Sequence, residues 1–121
     1  MGRTILERDI AAMSELTRKR KIPLILVYVP CREQVYFDAR MAAEMKDIGI
    51  DPAFASRLVG HASQDLSAIA ARHQALFYDM TPDLRKKRDE APLYFYYDRH
   101  FTPAGHAAAA EGFVHFLRLH S

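Results

Sequence analysis

The sequence predicts an α/β fold in which helices flank a small parallel sheet. Two short apolar runs, 22–29 and 75–79, have strand length, and amphipathic segments precede, separate and follow them. The first run does not alternate polar with apolar residues, as expected of a strand covered on both faces. A strand, a helical crossover and a second strand make a parallel pair.

The chain has 121 residues, 50% of them hydrophobic and 26% charged, which suits one soluble domain spanning 1–121. Seventeen basic against fifteen acidic residues leave a net charge of +2, too small to argue for a nucleic-acid partner. Cys31 is the lone cysteine, so an internal disulfide and a cysteine-rich zinc site are excluded, and a reducing compartment is consistent. No apolar stretch approaches the ~20 residues that cross a bilayer. Charges at Arg3, Glu7, Arg8 and Asp9 interrupt any signal-like core, so the chain as given is expected to be cytoplasmic, without a membrane segment.

The first helix runs from about Thr4 to Lys21, with Leu6, Ile10, Met13 and Leu16/Thr17 on its apolar face and the cations Arg18, Lys19, Arg20 and Lys21 at its end. Pro23 belongs at the entry of the strand that follows, and Pro30 stops it. The next helix extends from Asp38 to about Lys46, with Gly49 as terminator. Asp51 and Pro52 cap a short helix to about Leu58, and a separate helix spans Ser63 to His73 with Leu66, Ile69 and Ala70 on one face. After the second strand, Thr81, Pro82 and Asp83 open one or two helical turns that end in a solvated charged stretch from Arg85 to Glu90. Residues 92–97 are aromatic and extended. The last helix starts at Thr102 and Pro103, runs to about Leu119, and buries Ala109, Phe113, Phe116 and Leu117.

The stretch richest in chemistry is Asp98-Arg99-His100-Phe101-Thr102-Pro103-Ala104-Gly105-His106. In an extended segment residues two apart point the same way, so Asp98 and His100 can meet just ahead of a helix start. A carboxylate beside an imidazole fixes its tautomer and stabilises the imidazolium formed when the ring takes a proton from a hydroxyl. Asp98 and His100 are therefore the candidate catalytic residues. The plainer alternative is an aspartate that caps the following turn beside an incidental histidine.

This block resembles the C-terminal catalytic block of the SGNH (GDSL-like) hydrolases, where an Asp and a His precede the last helix in a His-x-Thr/Asn-x-x-Gly-His pattern. Here the matching positions are His100, Thr102, Gly105 and His106, with Asp98 as the aspartate. Pro30 after a buried strand, and Thr81-Pro82 after the second strand, are also similar to that family. The resemblance covers essentially the whole chain as the C-terminal half of such a domain. It implies a three-layer α/β/α sandwich, flavodoxin-like in its parallel sheet, and cleavage of an O-acyl or O-acetyl ester of a small molecule or carbohydrate, with no cofactor and no metal. His100 would deprotonate a serine and Asp98 would orient His100.

The departure from the family is as informative. Its members carry a serine in a Gly-Asp-Ser block after the first strand and oxyanion donors from a glycine and an asparagine. This sequence has no Gly-Asp-Ser and no asparagine, and its serines, Ser14, Ser56, Ser63, Ser67 and Ser121, lie in helical or terminal contexts. The chain is thus expected to be inactive alone. Removing a serine nucleophile from a serine protease costs roughly 10⁶-fold.

Other candidates are Cys31, at the carboxyl end of the first strand, and Arg32, Glu33 and Gln34 beside it in a loop that could line a substrate cleft. Tyr94, Phe95, Tyr96 and Tyr97 suit core and cleft wall better than base stacking. His61, His73, His106, His115 and His120 lack tight metal spacing. Two rival functions remain: a non-catalytic interaction module, and a metal-dependent hydrolase using Asp98, His100 and His61. A truncated sandwich would bare one edge of the strand at 22–29, so a homo-oligomer joined there or through the first helix is expected.

Overall fold

The computed structural model describes residues 2–121. Among them eight elements follow one another: α1 (Gly2–Lys19), β1 (Ile25–Tyr28), α2 (Arg32–Tyr36), α3 (Ala39–Asp47), α4 (Pro52–Arg72), β2 (Leu76–Asp79), α5 (Thr81–Lys87) and α6 (Pro103–Leu119). β1 and β2 pair in parallel, with Ile25 opposite Leu76 and Tyr28 opposite Asp79. The fold is α/β, as the sequence predicts, with a sheet of two strands. Alternation along β2 sends neighbouring side chains to opposite faces. Tyr78 stacks on Phe113 and Phe116 of α6, whereas Asp79 accepts a hydrogen bond from Ser63 of α4, so α6 and α4 pack on opposite faces of β2.

Local chemistry explains most boundaries. The Asp38 and Asp51 carboxylates accept from the Met41 and Ala53 amides at 2.9 and 3.0 Å, capping α3 and α4. Gly49 takes φ +83° just beyond α3, a conformation open to glycine without a Cβ penalty. The segments from Asp51 and from Ser63 are not two helices. They form the single 21-residue helix α4, because Gly60 lowers helix propensity without removing a hydrogen bond as proline would. Nor are Arg32, Glu33 and Gln34 a loop. They belong to α2, closed at its start by the Gln34 Oε1, which accepts from the Cys31 amide at 2.8 Å.

The apolar face expected of α1 is rotated. Ile10 is buried, but Leu6, Met13 and Leu16 are exposed, and the inward stripe runs through Glu7, Ile10, Ser14 and Thr17. Polar contacts cause the rotation. Ser14 donates to the His73 carbonyl at the end of α4, and Glu7 takes two bonds from Arg72, at 2.9 and 3.0 Å, and one contact from the His73 ring at 3.0 Å. On α6, Ala109 and Phe116 are buried as expected, while Leu117 points to solvent.

The main core lies beneath the carboxyl ends of the strands. Val35, Leu84, Leu93, Tyr94, Ala108 and Ala109 form one buried cluster, with Tyr36, Met80, Phe101 and Ala104 packed against it. Val35, Leu84 and Leu93 are almost wholly excluded from water, and each such side chain contributes about 1.5–3 kcal/mol. The short helix α2 is held by Val35 in this cluster rather than by its own length.

The N-terminus of α6 sits hard against the chain at Leu93. A Cβ at Gly105 would lie 2.0 Å from the Leu93 carbonyl oxygen and 3.0 Å from a Phe101 ring carbon. Gly105→Ala should therefore destabilise the fold by about 1–3 kcal/mol or more. Gly60→Ala, in open space within α4, should stabilise it by about 0.5–1 kcal/mol. Chemical denaturation of the two variants reads both signs.

Arg72, and then His73, hold the Glu7 carboxyl at about 2, down from 4.5. A carboxyl lowered on folding stabilises the fold above its unfolded pKa, and that contribution is lost as the pH falls through the folded one. Between pH 4.5 and 2 the wild-type denaturation midpoint should thus fall more steeply than that of Glu7→Gln.

Candidate functional site

Asp98 and His100 lie on the loop that joins the core segment at 92–94 to α6. The loop is seated by its two ends. Tyr94 and Phe101 form an antiparallel bridge, and the Thr102 amide donates to the Leu93 carbonyl at 3.0 Å. The Thr102 hydroxyl donates to the Pro92 carbonyl at 2.5 Å and accepts from the Gly105 amide at 3.1 Å, so one side chain both caps α6 and ties it to the incoming chain. Such a cap contributes about 0.5–2 kcal/mol. The threonine and glycine that follow the Asp-x-His pair are thereby given physical reasons: one caps, and the other permits close approach.

Residues 92–97 are not an extended strand. Only Tyr94 bridges, and 96–98 turn back, with the Phe95 amide donating to the His100 carbonyl at 2.8 Å and the Arg99 amide to the Phe95 carbonyl at 3.2 Å. Proline at 92 and the need to re-enter α6 within ten residues favour a closed turn over a ladder. Arg99 adopts φ +62°, which costs a non-glycine residue roughly 1–2 kcal/mol.

Within this turn the Asp98 Oδ1 accepts from the His100 amide at 3.0 Å and stands 3.7 Å from the His100 Nδ1. The two groups are within ion-pair distance and beyond hydrogen-bond distance. Their nearness comes from an Asx-type turn rather than from extended alternation. Both side chains are open to solvent, 61% and 85% exposed respectively, so either can approach a partner from outside the loop.

The loop lies on the carboxyl side of the sheet. The Tyr94 hydroxyl donates to the Pro30 carbonyl at 2.7 Å just after β1, and burial pushes this phenol well above its usual pKa range. Arg99 pairs with Glu33 of α2 at 2.7 Å. The Arg32 guanidinium lies between the Tyr36 and Tyr96 rings, 5.4 and 5.1 Å from their centroids. With Arg88 and Tyr94 these residues line a cleft of about 530 Å³. Cys31 is exposed at the head of α2.

A second cleft, about 450 Å³, opens at the carboxyl end of β2 and is lined by Gln34, Ser63, Asp79, Thr81 and Arg85 among others. Ser63 donates to the Asp79 Oδ2 at 2.5 Å, and the other carboxylate oxygen accepts from the Thr81 amide. Gln34 ties the region together. Its Nε2 donates to the Tyr28 hydroxyl at 2.6 Å, and its backbone carbonyl accepts two bonds from Arg85. The position of Asp79 at a strand's carboxyl end could have flagged this cleft. Ser63, in the interior of a helix, carries no sequence signal.

The family described as "SGNH hydrolase-like domain, acetyltransferase AlgX" matches residues 5–120. The chain belongs to this family. No curated protein and no solved structure matches it. The SGNH hydrolase-like assignment agrees with the parallel pairing of β1 and β2 and covers the Asp98–Gly105 block. Among the described residues, no group of three or more His, Cys, Asp or Glu side chains converges as metal ligands would. His61 faces Asp65 on its own helix, at 3.6 Å, and among the described residues it does not group with Asp98 and His100. Among the described residues no helix is long and apolar enough to cross a membrane.

Proposed function

We propose that the loop carrying Asp98 and His100 is the acid–base part of an SGNH-type acyl-transfer site, acting on an O-acyl or O-acetyl ester of a small molecule or carbohydrate. His100 takes the proton from a hydroxyl nucleophile, and Asp98 steadies the resulting imidazolium. The nucleophile and the oxyanion donors come from outside residues 1–121. The observation that carries this reading is the pair itself: a carboxylate and an imidazole 3.7 Å apart, open to an incoming group, on a loop fixed at both ends. The family description, which names an acetyltransferase, supports the same chemistry. Ser14, Ser56, Ser63 and Ser67 sit within helices, and Ser63 already bonds Asp79, so none supports a role as nucleophile for His100.

The isolated chain should hydrolyse p-nitrophenyl acetate no faster than its His100→Ala variant. Turnover abolished by that substitution would place a nucleophile inside the chain and overturn this part of the reading. Joined to a polypeptide that supplies the serine block, His100→Ala should lower kcat by about 10⁶ and Asp98→Ala by about 10⁴. Equal turnover with and without His100 in that setting would remove the catalytic role.

A second reading, a self-associating module, is favoured by one feature. The outer edge of β1 pairs with no strand among the described residues, and it lies between the exposed Ile22 and Val29. Ile5, Leu6, Met13 and Leu16 add exposed apolar surface on α1. Unpaired strand edges recruit another chain, and a second copy offers the same edge in return. Sedimentation at tens of micromolar should show a dimer or larger species. A monomer under those conditions would dismiss this reading without touching the first.

A further inference from the structure

Among the described residues, three non-glycine residues have positive φ: Lys21, Gln74 and Arg99. Lys21 and Gln74 follow the ends of α1 and α4, where a left-handed residue commonly terminates a helix. Arg99 follows no helix. It is the residue between Asp98 and His100, and arginine lacks the short polar side chain that lets asparagine or aspartate favour this conformation locally. Its guanidinium instead reaches Glu33, Nη1 to Oε1 at 2.7 Å. Glu33 is a firm anchor, because the residues after it on α2, Gln34 and Val35, are buried and bonded. Its side chain is only 28% exposed, against 65% for that of Arg99, so the acid marks the place to which the arginine is drawn.

We propose that Glu33 is a positioning residue for the Asp98–His100 pair: its ion pair holds Arg99 in the left-handed conformation that turns both side chains toward each other. The inference rests on the catalytic reading of that pair. It adds that the geometry of the pair is set from α2, outside the motif. An incidental surface pair would leave the turn unchanged when broken. A positioning pair would not, and its loss should be made good by glycine at 99, which adopts positive φ without help.

The test is NMR of the isotopically labelled 121-residue chain. In the wild type Arg99 should show the strong intraresidue amide-to-α-proton NOE of a positive φ, and the Asp98 β-protons should show an NOE to the His100 amide. Glu33→Ala and Arg99→Ala should each weaken both signals relative to the wild type, while the Ile69 and Leu84 amides stay protected from exchange. Arg99→Gly should keep the Asp98-to-His100 NOE. Retention of both signals at wild-type strength in Glu33→Ala would overturn the proposal, as would loss of the Asp98-to-His100 NOE in Arg99→Gly. If Glu33→Ala does not fold, Arg99→Ala and Arg99→Gly decide the matter alone. None of these signals involves turnover, so a failure here is distinct from a failure of the catalytic reading.

Discussion

The placement of the candidate site depends on one close contact, the N-terminus of α6 against the backbone at Leu93. With Gly105 at the point of contact, the helix can approach until only hydrogen would fit between its backbone and the Leu93 carbonyl oxygen. That approach lets Thr102 bond Pro92, through its hydroxyl, and Leu93, through its amide. The chain between Leu93 and Thr102 must then close on itself, and Asp98 and His100 ride on the closed loop. Leu93 is itself 2% exposed and part of the main core, so the loop inherits its rigidity from apolar burial rather than from its own bonds. Its charged contact with α2 adds direction more than stability, since exposed ion pairs contribute only about 0.2–1 kcal/mol.

The sheet plays a smaller part than the sandwich class suggests. Two four-residue strands supply the parallel direction and a carboxyl end at which Gln34, Asp79 and the clefts gather. The buried volume lies instead among α2, α5, α6 and the segment at 92–94. All four residues of β1 remain partly accessible, which sets this strand apart from the fully covered position that its apolar run predicts.

Legibility in the sequence followed the range of the interaction. Caps were readable because an Asp or Thr bonds an amide two or three residues away: Asp51 and Thr102 cap as their patterns predict, and Asp38, where the sequence starts a helix, is the N-cap of α3. Both strands were readable as apolar runs, and the Asp-x-His block identified the family that matches residues 5–120. The orientation of α1 was not readable, because Glu7 and Ser14 bond residues Arg72 and His73 of α4, far along the chain. Helix α2 was hidden for the same reason: its five residues are helical because Val35 enters a core built from distant segments. Asp98 and His100 lie near each other as their spacing predicts, but through a left-handed Arg99 and an Asx turn rather than an extended backbone.

The ends of the loop bearing Asp98 and His100 are seated by α6 and open only with it, while Glu33 directs the turn between them. Native-state hydrogen exchange at the Phe95, Thr102 and Gly105 amides, which donate to His100, Leu93 and Thr102, tests this directly. Exchange should be slow at all three, with opening free energies that track those of amides in the middle of α6. Exchange at free-chain rates at Phe95 and Thr102, with the middle of α6 still protected, would contradict it.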